Sequence, residues 1–211
     1  MPDAFVIKDK GKIFLGVSAF NFNNQESRNL ESNFPIWKPK GTKNTNVICT
    51  GPICESLRIK YSDGIFEEDE DGNLTETFLM TTLVDNISNC LKDANVIDEK
   101  SDTWHGSLII SNKDRVFIMN ENFTIYEIEK YYGDTEYHEH YEAIFDFLGD
   151  VDPIYKIAYT YFFIEEANYG IVDPLIILDV SQNKRYVLHR KDILNIIKNK
   201  GIKKGERKWV Y

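Results

Sequence analysis

The sequence lacks a basic surface, a long apolar run and a metal-type cysteine pattern, and each absence excludes a class of function. Its 25 Lys and Arg stand against 34 Asp and Glu, a formal net charge of -9 over 211 residues. A nucleic-acid binder needs a basic face for phosphates, so nucleic-acid partners are not expected. No apolar run approaches the ~20 residues of a membrane span, so no membrane partner is expected either. The first residues show no charged-then-apolar leader with a small-residue cleavage site. Cys49, Cys54 and Cys90 are an odd set without metal-ligand spacing, each in an apolar context. They read as buried free thiols, which fits a reducing cytoplasm. His138-Glu139-His140 is a poor chelate, because residues two apart on a helix point to different sides. The glycine patterns that cradle phosphates do not occur, and neither a cofactor nor a metal is expected.

What is present is core material. Hydrophobic residues make up 42% of the chain, with twelve Tyr and thirteen Phe, so much of the interior should be aromatic. Ala4–Lys8 and Lys12–Phe20 read as strands joined by Asp9-Lys10-Gly11. Phe20 to Lys43 is polar, with a short strand expected near Phe34–Lys38. Asn46–Thr50 is a buried strand. Pro52 then suits the first turn of a helix with Ile53, Leu57 and Tyr61 inward, ended by Asp63-Gly64. Asn73 is a candidate cap for a second helix whose stripe is Leu79, Leu83, Ile87 and Leu91. Three strands follow at His105–Ser111, Arg115–Asn120 and Thr124–Tyr131.

The second half predicts helices over Tyr137–Leu148 and from Asp152-Pro153 to Gly170, the latter opened by an Asp cap and Pro at the first helical position. Pro174–Val180 and Lys184–His189 form a strand pair. Asp192–Asn199 is a final helix. The run Glu67–Asp71 reads as a solvated loop tip. The organisation expected is one domain over 1–201 and a basic tail over 202–211. In that tail, Trp209 and Tyr211 are costly to leave wet.

Two stretches carry a family resemblance. The first is the hairpin from Phe5-Val6-Ile7-Lys8 through Gly11 to Phe14-Leu15-Gly16. The second runs from Tyr131-Tyr132-Gly133-Asp134 through Ala158 and Glu166-Ala167-Asn168-Tyr169-Gly170 to Val172-Asp173-Pro174-Leu175-Ile176-Ile177. Their order and spacing resemble the proteasome β subunit and its bacterial relatives among the N-terminal-nucleophile (Ntn) hydrolases. The likeness covers Ala4 to about Gly201. It implies an α+β fold, a four-layer αββα sandwich of two mainly antiparallel sheets between helix layers. It also implies a homo-oligomer, a ring or dimer, and a protein or peptide partner.

The family's chemistry implies a hydroxyl on the leading residue with its own amine as base, a lysine, an aspartate that holds the lysine, and a second aspartate with serines around the amine. Counting back from Gly11, Pro2 falls where the threonine belongs; it offers a secondary amine but no hydroxyl. Ser18 falls where the first aspartate belongs. Leu30–Asn33 contains no lysine, and Lys38 and Lys40 lie farther along. Glu166 falls at or beside the second aspartate, Tyr169 replaces a serine, and Asp134 or Thr135 stands near the other. The residues that would carry any chemistry are therefore Pro2, Ser18, Glu166 and Tyr169. The expectation is a proteasome-like chain that keeps the scaffold without the reaction; the alternative is an amide hydrolase that uses Ser18, Thr50 or a cysteine.

Overall fold

The computed structural model describes residues 4–18, 35–98, 100, 102–134, 138–168 and 174–199. They form two compact units. One runs from Pro35 to Glu129; the other joins the N-terminal strands to everything from Lys130 onward. Each holds one five-stranded antiparallel sheet.

In the second unit the strands are β1 (Ala4–Asp9), β2 (Lys12–Ser18), β8 (Tyr131–Asp134), β9 (Leu175–Asp179) and β10 (Lys184–Leu188). They are ordered β10-β9-β2-β1-β8. The opening hairpin forms because Lys10 and Gly11 both take positive φ, 49° and 75°, the left-handed pair that a two-residue hairpin turn requires. β1 meets β2 with Ala4 opposite Val17 and Asp9 opposite Lys12. Three helices pack on this sheet: α3 (His138–Leu148), α4 (Pro153–Asn168) and α5 (Arg190–Lys198). Within this layer α4 touches both α3 and α5. Asp152 starts α4 as expected, its Oδ1 accepting from the N–H groups of Ile154 and Tyr155 at 3.0 and 3.3 Å. The core beneath the helices is aromatic. Phe5, Tyr141, Phe145 and Tyr161 are buried together, with Phe5 4.6 Å from Tyr141 between ring centroids. Each such ring contributes about 1.5–3 kcal/mol through burial. Gly16 lets α4 approach the sheet, since a Cβ there would stand 2.9 Å from Ile157 Cγ2.

The first unit contains β3 (Ile36–Trp37), β4 (Thr45–Thr50), β5 (Ser107–Asn112), β6 (Arg115–Met119) and β7 (Ile125–Glu127), paired in that order. Its helices are α1 (Ile53–Tyr61) and α2 (Val84–Asp93), the latter continuing a π-helical stretch, Phe78–Leu83. The stripe Leu79, Leu83, Ile87 and Leu91 is fully buried, as its spacing predicts.

Four local expectations change. In α1, Ile59 and Glu55 face inward, whereas Tyr61 is exposed; Ile53's side chain lies outside the described residues. Thr75 rather than Asn73 caps the second helix, its Oγ1 accepting from Phe78 N–H at 3.1 Å. Thr124–Tyr131 is not one strand. Its start stays with β6, and Tyr131 opens β8, which pairs with β1. His189 is a helix cap: its N–H donates to Asp192 Oδ2 at 3.0 Å, starting α5 two residues before the expected point.

Candidate functional site

Antiparallel pairing gathers one end of the second unit's sheet. Ala4 at the start of β1 is opposite Val17 in β2 and Asp134 in β8, and Ser18, the last residue of β2, is opposite Leu175 at the start of β9. Ser18 is therefore placed beside the opening of β1. It is buried, at 1% exposure. Asp134 comes to the other flank of β1 and accepts from Tyr132 Oη at 3.3 Å. Glu166 lies in the last turn of α4, but its side chain is outside the described residues, as are Pro2 and Tyr169.

The lysines weighed as substitutes have other partners. Lys38 Nζ donates to the Lys43 carbonyl at 2.8 Å, and Lys40 Nζ pairs with Asp63 at 2.8 Å on the surface. The hydroxyls weighed as displaced nucleophiles are enclosed. Thr50 and Ser107 lie buried with their Oγ atoms 2.7 Å apart. Cys49 is buried beside Ser56, whose Oγ lies 3.1 Å from the sulfur. Cys54, by contrast, is exposed, and Cys90 is half-buried, which corrects the expectation of three buried thiols.

Sequence reasoning missed a second constellation, in the first unit. Glu55 in α1 is only 2% exposed, and it holds the residue before the Gly106 bend by two bonds. His105 N–H donates to Oε2 at 3.2 Å, and His105 Nδ1 lies 2.9 Å from Oε1. The ring itself is 74% exposed. A carboxylate on Nδ1 fixes the imidazole's orientation and leaves Nε2 toward solvent, the arrangement of an oriented base. Two glycines make the approach possible. Gly51, at φ +123°, comes so close that a Cβ would lie 2.6 Å from Gly106 Cα. Fifty residues separate Glu55 from His105, so no local pattern announces the pair.

The acidic loop is more than a solvated tip. Glu68 accepts from Lys43 N–H, Asn44 N–H and Thr45 Oγ1 at 2.6, 2.8 and 2.7 Å, and from Asn112 Nδ2 at 3.3 Å. Partial desolvation pushes its carboxyl up, but the bonds from Thr45, Lys43 and Asn44 outweigh it and hold the group below the usual value. Asp69 accepts from Asn73 N–H and lies below its usual value for that reason. Among the described residues no group of three or more His, Cys, Asp or Glu is placed to hold a metal ion, and no helix is long and apolar enough to cross a membrane.

The whole arrangement has known counterparts. BPH of Thiobacillus denitrificans, in complex with epoxomicin, superposes at a TM-score of 0.62 with 12% identity, over 84% of this chain and 98% of that one. Anbu, the ancestral beta-subunit, from Yersinia bercovieri gives 0.64 and 11%, over 94% and 92%. Anbu from Hyphomicrobium sp. strain MC1 gives 0.61 and 12%, over 94% and 93%. The fold is that of the proteasome-like Ntn hydrolases. It is the α+β sandwich that the sequence implied, and at this identity the likeness concerns fold alone. No family model matches the sequence, and no curated protein matches it.

Proposed function

We propose that this chain is a proteasome-like subunit without the peptidase chemistry of the fold, working through self-assembly or by binding a protein or peptide. The observation that carries the reading is the residue content ahead of β1. Ala4 opens that strand, and Met1, Pro2 and Asp3 before it bear neither a hydroxyl nor a thiol. An acyl intermediate on the leading residue needs such an atom. Ser18 stands where a lysine-holding carboxylate would be required, which supports the same conclusion.

Support for assembly comes from the outer face of the helix layer. Between Pro153 and Ile164 the one charged residue of α4 is Lys156, and it is buried. Tyr159 and Phe163 stack along that helix, 6.4 Å apart and 11° from parallel, with Phe163 57% exposed; Phe147 on α3 is 87% exposed. On α3, Glu142 is an exposed acid; on α5, Arg190, Lys191 and Lys198 are exposed bases. An aromatic strip between edges of opposite charge suits a second copy that lays its acidic edge on the basic one. Native mass measurement at high protein concentration should show an oligomer, and a strict monomer would overturn the assembly reading. Epoxomicin, which BPH binds, should add no mass to this chain; a one-inhibitor adduct would overturn the non-catalytic reading.

The second reading, an amide hydrolase with a displaced nucleophile, has one observation in its favour. The exposed Cys54 neighbours Glu55, which orients His105. Peptide cleavage that disappears in Cys54→Ala and in His105→Ala would establish it.

A further inference from the structure

One buried charge lies away from both the start of β1 and the exposed helix face. Lys156 is 4% exposed. Its Nζ donates to one oxygen, the Tyr131 hydroxyl at 2.9 Å, and stands 4.8 Å from the centroid of that ring. No carboxylate among the described residues lies within ion-pair distance of it. Taking an ammonium out of water costs several kcal/mol when no anion accompanies it. A phenol oxygen and a ring face offset only part of that cost. That bond uses one of the three ammonium donors, which leaves two for a ligand.

The surroundings make this more than a packing detail. Lys156 and Tyr131 line a cleft of about 280 Å3 formed where the end of β1, the start of β8 and the turn between α3 and α4 meet. Two further lysines line the same cleft, and both are already neutralised at the surface. Lys10 Nζ bonds Asp150 at 2.8 and 3.0 Å, and Lys130 Nζ bonds Asp146 at 2.6 Å. Asp9 is the third acid in the lining, and its charge acts on Lys10. The acids are thus directed to the rim lysines, and the deep lysine is left with a phenol. That phenol accepts from Lys156, so its own hydrogen remains to donate. Ammonium and phenol together present two convergent donors to one oxyanion.

We propose that this cleft binds a small oxyanion, the phosphate or carboxylate group of a ligand, between Lys156 Nζ and Tyr131 Oη. The site is remote from the candidate chemistry of the fold: it sits at the Asp9 end of β1, the opposite end of this six-residue strand from Ala4. It stands independently of whether the chain hydrolyses anything or assembles.

The test is calorimetric titration of the full chain with inorganic phosphate and, separately, with acetate, at constant ionic strength set with chloride. Saturable binding of at least one anion is expected. Phosphate binding more tightly would identify a phosphoryl ligand, and acetate binding more tightly a carboxylate ligand. Lys156→Met keeps the aliphatic stem and removes the charge; it should weaken binding about tenfold or more, as loss of a charge-assisted bond does. Tyr131→Phe keeps the ring and the ammonium, and should weaken binding several-fold. Wild-type protein that saturates with neither anion overturns the proposal. So does Lys156→Met binding as wild type does. If that variant fails to fold, equal affinity in Tyr131→Phe and wild type overturns it.

Discussion

Removing Glu68 should unlock the loop that closes over β4 and β5. Its carboxylate holds two consecutive backbone N–H groups, a threonine hydroxyl and an asparagine amide, the last two from residues that are themselves buried, Thr45 and Asn112. A hydrogen bond to a charged group contributes about 1.5–3 kcal/mol, and four sharing one carboxylate do not add. Water can replace part of the loss at Lys43 but not at Thr45 or Asn112. Glu68→Ala should therefore cost about 2–4 kcal/mol, which for a chain of this length lowers the melting temperature by roughly 4–15 °C. Glu68→Gln keeps the volume and one acceptor oxygen, but turns an NH2 toward donors; about 1–2 kcal/mol is expected. The pH dependence follows from the lowered folded-state pKa. Such a group adds stability that is present above its unfolded value, about 4.3, and is lost as pH falls through the folded value. The gap between wild type and Glu68→Gln should thus narrow below about pH 4. Urea unfolding followed by circular dichroism at pH 7 and pH 3.5 reads both effects. Glu68→Ala within about 0.5 kcal/mol of wild type at pH 7, or a gap that widens in acid, would refute the reasoning.

Gly51→Ala should be among the most damaging single changes, costing roughly 3 kcal/mol or more, because the new Cβ meets backbone at Gly106 and His105 while φ stays at +123°; loss of soluble folded protein or a melting temperature lower by about 6 °C or more checks it. Glu55→Gln should cost about 1–3 kcal/mol, since a buried acceptor for His105 becomes partly a donor; urea unfolding of the variant beside wild type reads it. His105→Ala should be milder than Glu55→Ala, because the ring lies in solvent and the carboxylate does not; thermal melts of the two variants compare them directly. Phe147→Ser should leave the monomer's unfolding free energy within about 0.5 kcal/mol while shifting the association equilibrium toward smaller species, read by analytical ultracentrifugation.

The two kinds of information divide along the chain in a physical way. Periodicity and turn chemistry are local, so the hairpin at Lys10-Gly11, the stripe from Leu79 to Leu91 and the Asp152-Pro153 start of α4 were legible in residues only a few positions apart. The order of those elements was enough to suggest the proteasome-like fold, because the connection from strand to helix to strand is also written in sequence. What the sequence could not assign was the partner of any group whose partner is distant. Thr124–Tyr131 reads as one strand, yet its two ends pair with different sheets, a choice made by Val116 and Lys8 through backbone bonds to Ile128 and Lys130. Glu55 and His105 meet only because Gly51 and Gly106 let two backbones touch. Lys156 looks like an ordinary helix lysine until α4 docks beside β8 and takes it out of water. Local patterning in the sequence determined the elements and their order; tertiary packing decided which charges are buried, and burial is what turns an ordinary side chain into a site.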